Sequence, residues 1–237
     1  MKKAVFSFLV VLMLGLSGCF KKGDNINNYD YVPALIDNFD FFIPVLKMAY
    51  PFPGPVTSQD FIDKIGVDFH YGDAVIAFYE INFDIQPTTE YYTATKLQCV
   101  VITKSWTQPT PDGESMTDDF DHPIESMGLY GWVDNYWFWG FNQKDADEKD
   151  LFQYEMTYDS EQTGTPVIKI RAMKSDNGSI PVRALDMSSF FWTYMDADKK
   201  VKFNVQFKTG VDDNGKDVYD YCKDYNGGVI TFNAEVK

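Results

Sequence analysis

From residue 73 onward, apolar side chains recur at every second position, a period that extended strands satisfy and helices do not. Val75, Ala77, Tyr79, Ile81 and Phe83 share one face, while Glu80 and Asn82 mark a mixed second face. Residues 95–106 repeat the pattern, with Leu97, Cys99 and Val101 together. Phe152, Tyr154, Met156 and Tyr158 alternate, as do Ile168, Ile170 and Ala172. Val201, Phe203, Val205 and Phe207 follow, and Ile230, Phe232, Ala234 and Val236 end the series. Asn177-Gly178, Asn214-Gly215 and Asn226-Gly227-Gly228 supply turn residues between them. Strands at roughly ten-residue spacing with such turns predict antiparallel sandwiches or small barrels rather than a βαβ fold. Earlier in the chain, residues 29–50 hold two short strands, and Pro51, Pro53 and Pro55 impose an extended segment. Ser58 is placed to cap a helix over residues 58–65, closed by Gly66. Residues 188–195 form a second short helix or a loop. The run Thr107-Gln108-Pro109-Thr110-Pro111 breaks the strand pattern, which divides the chain into an N-terminal β region, 29–115, and a C-terminal one, 116–237.

The N-terminus obeys a different rule. Lys2 and Lys3 precede an apolar run over residues 4–16, too short to span a bilayer, that ends in Leu16-Ser17-Gly18-Cys19. This resembles the lipobox of bacterial lipoproteins. The resemblance implies that residues 1–18 are a signal peptide, that Cys19 is lipidated, and that residues 19–28 tether the fold to a membrane. Phe20 after the anchor cysteine points to the outer membrane of the cell envelope. Removing Lys2 and Lys3 takes the formal net charge from −14 to −16. Such a chain repels phosphate backbones, so no nucleic-acid partner is expected. The remaining partners are the membrane through its lipid, an envelope protein, or a glycan.

The order of features in the mature chain resembles the NigD-like lipoproteins of the Bacteroides group. It is carried by the lipobox, a small β region, GWVDNYWFWGF at 131–141, Arg183-Ala184-Leu185-Asp186-Met187, and VKFNVQFKTG at 201–210. The resemblance implies an all-β protein: a small N-terminal OB-like barrel followed by an antiparallel β-sandwich, with one or two short helices. It implies no catalytic residue, and only Cys19 carries a family role.

The aromatic strand is the candidate ligand surface, with Trp132, Tyr136, Trp137 and Trp139 as its residues. If residues 135–141 are extended, Tyr136 and Phe138 face one way, and Trp137, Trp139 and Phe141 the other. One face supplies the sandwich core. The other is either a bare platform for stacking sugar rings or a buried interdomain surface, and large apolar patches are rarely left bare. Acidic loops flank the strand, with Asp112, Glu114, Asp118, Asp119 and Asp121 on one side and Asp145, Asp147, Glu148 and Asp150 on the other. Their spacing matches no EF-hand, so they read as solvated loops rather than a calcium site. His70 and His122 sit in no zinc frame. No nucleophile elbow, P-loop or dinucleotide fingerprint is present, so neither enzyme activity, nor a cofactor, nor a metal is expected. Cys99 and Cys222 lie in different halves of the chain and read as separate buried thiols rather than a disulfide.

Overall fold

The structure is a computed structural model that describes residues 25–39, 43–49, 52, 54–86, 90–147, 150–176, 182–224 and 226–235. The leader, Cys19, Pro51, Pro53, Glu148, the Asn177-Gly178 turn and Val236 lie outside the described residues. The protein is all-β, a closed barrel followed by two further sheets.

The barrel comprises β1 (Ile26–Phe39), β2 (Ile43–Met48), β3 (Val56–Thr57), β4 (Ala74–Asn82) and β5 (Tyr92–Val101), with α1 (Gln59–Lys64) between β3 and β4. The strands close in the order β1-β2-β3-β5-β4, and only the β3–β5 pair is parallel. One helix set between the third and fourth strands of a five-stranded barrel is the OB arrangement. Ser58 caps α1 as expected: its hydroxyl accepts from the Phe61 amide. Val75, Ala77, Tyr79 and Ile81 fill the barrel interior. The second face of β4 is not solvent-facing. Ala74 and Ile76 are buried there in a separate cluster, with Phe78 packed against it. β1 already begins at Ile26, opposite Asn82, so residues 26–28 of the expected tether belong to the sheet.

The chain then lays β6 (Lys104–Trp106) on one sheet and, after the buried Thr107, β7 (Gln108–Pro109) on the other. These residues precede the expected division at 115, yet they pair with strands of the second region. The sandwich continues with β8 (Ile124–Val133), β9 (Tyr136–Gln143), β10 (Phe152–Tyr158), β11 (Val167–Lys174), β12 (Val182–Asp186), α2 (Ser188–Tyr194), β13 (Lys200–Val211), β14 (Asp217–Tyr221) and β15 (Phe232–Glu235). One sheet runs β6-β12-β9-β8. The other runs β14-β13-β11-β10-β7, with β15 also paired to β13. The sandwich is mixed in direction: β6–β12, β7–β10 and β11–β13 are parallel. Alternation reports which face a residue takes but not which way its neighbour runs, so this was invisible in the sequence. Residues 188–194 are helical, and the Asp186 carboxylate accepts from the first helical amide, that of Ser188.

Three turns share one design. Asp196, Asp212 and Asp224 each accept two backbone amides through Oδ1, from the residues two and four positions later. The residue three positions on is left-handed each time: Lys199 (φ 57°), Gly215 (77°) and Gly227 (82°). A side chain costs about 1 kcal/mol or more in that region, and glycine does not. Lys199→Gly is therefore expected to stabilise the protein by roughly 0.5–1 kcal/mol, raising Tm by about 1–4 °C in a thermal melt.

The sandwich packs against the outer face of β4 and the neighbouring part of β1. β1 pairs with β4 from Ile26, opposite Asn82, to Leu35, opposite Ala74. Leu35, Ala74 and Ile102 share a buried cluster with Val133, Phe138 and Ala184 of the sandwich. Lys47 Nζ lies 2.6 Å from Asp134 across the seam, and Lys104 Nζ donates to the Gly72 carbonyl. Among the described residues no helix is long and apolar enough to cross a membrane.

Candidate functional site: an aromatic groove on the sandwich

β9 is aromatic on both faces because both are covered. Trp137, Trp139 and Phe141 enter the sandwich core. Phe138 is buried in the barrel–sandwich seam, with Tyr136 packed against it. Burial, and then Asp186 beside it, pushes the Tyr136 hydroxyl above its ordinary pKa. Trp137 is 3% exposed and meets Phe203 and Phe232 edge-on at 5.1 and 5.5 Å between centroids.

Of the four aromatic residues expected to form a ligand surface, Trp132 alone is exposed, at 38%. It sits at the end of β8, one register step before the turn, and its ring stacks on Trp137 at 5.3 Å and 21°. Trp132 and Trp137 line a groove of about 950 Å³. Phe191 and Tyr194 of α2, the loop Gly164-Thr165-Pro166, and Val201 and Ala234 form the rest of its apolar wall. Asp134, Asp196, Lys200, Lys202, Asn233 and Glu235 stand around it. Tyr194 is pinned from behind by a hydrogen bond from its hydroxyl to the Asp159 carbonyl. The groove thus has a rigid aromatic floor and a polar rim.

No protein-family model and no curated protein matches the sequence. The fold has solved counterparts. The chain is similar in structure to an uncharacterized protein from Parabacteroides merdae, with a TM-score of 0.64 at 15% identity, over 87% of this chain and 98% of that one. Structural neighbours also include a NigD-like immunity protein from Bacteroides caccae, at a TM-score of 0.48 and 13% identity, over 87% of this chain and 96% of that one. At these identities the first likeness speaks to the fold alone.

A second, more polar groove of about 810 Å³ lies on the outer face of the six-stranded sheet. Beneath it, Arg171 is fully buried opposite Glu155, its cross-strand partner, with Nη1 3.6 Å from Glu155 Oε2. Arg171 also donates to Thr157 Oγ1 and to the Gly113 carbonyl. Glu155 accepts from the Met116 amide and lies 2.6 Å from the Ser115 hydroxyl. The segment 110–117, expected as a solvated acidic loop, is therefore fastened over a buried ion pair. Lys208 Nζ meets Asp217 at 2.6 Å and Lys169 Nζ meets Glu114 at 3.3 Å, so these cations already have carboxylate partners. The cluster is an internal clamp rather than a vacant site.

The other acidic loop is similarly engaged, with Asp150 bound to Lys174 at 2.6 Å. Among the described residues no group of three His, Cys, Asp or Glu is arranged to hold a metal ion. His122 lies against the Phe152 ring, and His70 faces Asp73 at 3.8 Å. Cys99 belongs to the barrel and Cys222 to the sandwich, and they are unbonded. Burial pushes their thiols up, to about 12 and about 11.

Proposed function

We propose that the protein is a lipid-anchored component of the bacterial cell envelope, acylated at Cys19 and carried on the outer membrane, that works by binding rather than by catalysis. The observation behind this reading is the N-terminal sequence: two lysines, a short apolar run, and Leu16-Ser17-Gly18-Cys19. The architecture gives the anchor a purpose. Only six residues separate Cys19 from β1, a reach of about 20 Å at full extension. The barrel would then ride close to the bilayer by its Ile26 end. The sandwich packs along β4 from Phe78 to Ala74, four to eight residues from Asn82, roughly 13–27 Å farther out. The barrel acts as a pedestal and the groove is displayed away from the lipid. The ligand is an envelope protein or a glycan, and the solvent-reaching ring of Trp132 favours the glycan.

Metabolic labelling with an alkyne fatty acid tests the anchor. Label should enter the wild-type chain, disappear in Cys19→Ser, and accompany an intact mass lacking residues 1–18. A membrane-free product that retains its leader overturns the reading. Product release that dies with one Asp or Glu would overturn the non-catalytic half.

A further inference from the structure

We propose that the Trp132 groove is a binding site for a neutral oligosaccharide, with one pyranose ring laid on the Trp132 indole. This rests on reading the protein as a binding lipoprotein and gives that reading a ligand class.

Three properties of the groove select this chemistry. The first is the shape of the floor. Trp132 is stacked on Trp137, and Trp137 is wedged among Phe191, Phe203 and Phe232. The outer indole is held in one orientation before any ligand arrives, so binding costs little side-chain entropy. A pyranose presents a patch of C–H groups on one ring face, and a fixed, flat aromatic surface matches that patch.

The second is the electrical balance. Asp134, Asp196 and Glu235 carry three negative charges on the lining; Lys200 and Lys202 carry two positive ones, and Lys47 neutralises Asp134 at 2.6 Å. The groove is close to neutral on a chain that is strongly acidic overall. A polyanion would meet the repulsion of the whole molecule with no local excess of cations to offset it. Hydroxyl groups, by contrast, need acceptors and donors side by side. The carboxylates of Asp196 and Glu235, the carboxamide of Asn233 and the ammonium groups of Lys200 and Lys202 supply both.

The third is scale. About 950 Å³ is at the upper end of the roughly 300–1,000 Å³ usual for small-ligand sites, so it admits more than one sugar ring. The alternation of aromatic and charged lining does not suit a protein partner, because the cores of protein interfaces are depleted in charge.

The test is titration of the full chain in detergent with neutral hexasaccharides of β-1,4-glucose, β-1,4-xylose and β-1,4-mannose, followed by tryptophan fluorescence and calorimetry. Oligogalacturonate serves as the charged comparison. At least one neutral saccharide should saturate. Trp132→Ala should weaken it tenfold or more, and Glu235→Gln and Asn233→Ala severalfold. Trp192→Ala, which removes a 70% exposed ring outside the groove, should leave affinity unchanged. Trp132→Phe keeps a flat ring and should retain part of the binding, which separates stacking from any loss of fold. The proposal is overturned if no neutral saccharide binds, if only the charged oligomer binds, or if Trp132→Ala binds as tightly as wild type. Loss of saccharide binding with Cys19 acylation intact removes the ligand class alone. Binding by a chain that is never acylated removes the anchor alone.

Discussion

Trp137→Ala is expected to destabilise the sandwich by about 3–5 kcal/mol, the usual cost of truncating a buried aromatic ring. On a chain of this size that lowers Tm by roughly 6–20 °C. Trp137 touches rings on every side: Trp132 above, Trp139 along its own strand, Phe191 from α2, Phe203 from β13 and Phe232 from β15. It therefore joins both sheets and the helix. The neighbours are large rings, two stacked and three edge-on, that cannot collapse into the space left behind, and the cavity penalty adds to the lost burial. Trp132→Ala makes the contrasting case. It removes the upper ring of the same stack, but that ring is 38% exposed, so its loss should cost well under half as much. Thermal melts of the two variants, followed in the near-ultraviolet, check the pair. Equal losses would show that the stack is a single packing unit and that Trp132 is as structural as Trp137.

The same stack shows how far the sequence could be read. Period-two alternation assigned Trp137, Trp139 and Phe141 to one face and Tyr136 and Phe138 to the other, and both assignments hold. It could not assign Trp132. That residue is 38% exposed on β8, the edge strand of its sheet, and which strand takes the edge is a tertiary property. The groove was illegible for a related reason. Its lining comes from segments around 132–137, 164–166, 191–202 and 233–235, and none of these is unusual alone. The Asp-anchored turns were half visible. Asn-Gly and Asn-Gly-Gly marked two of them, whereas the third, with Lys199 in the left-handed position, carries no glycine. Glu155 and Arg171 sit at the opposite parity to the apolar series of their strands, and alternation does not tell a solvated second face from a covered one. The segment that covers them arrives from 39 to 58 residues away, and no local pattern announces it.

That covered pair supports the second large effect. Arg171→Met should cost about 3–5 kcal/mol, because it leaves Glu155 buried without its cation. It also removes the donor to Gly113 and Thr157, so the cost should concentrate in the segment over the sheet. Amide exchange across residues 110–117 should rise more than exchange in the barrel. A second change separates charge from shape. Arg171→Met with Glu155→Gln removes the unpaired charge while keeping an acceptor for the Met116 amide, and should recover at least half of the loss. No recovery would mean that Arg171 acts through packing and its neutral hydrogen bonds rather than through Glu155. The acid limb of the stability curve supplies an independent reading. Partial burial pushes the Asp217 carboxyl up, but hydrogen bonds from Lys208 and Tyr219, with the charges of Lys208 and Arg171, outweigh it and hold the group below its ordinary value. A carboxyl depressed in the folded state contributes stability that is complete above its unfolded pKa, near 3.9, and is lost as pH falls through the folded value. Arg171 supplies part of that depression, so Arg171→Met should lose less stability between about pH 5 and pH 2 than wild type does. Urea midpoints measured across that range would show the two curves converging in acid, and parallel curves would detach Arg171 from Asp217.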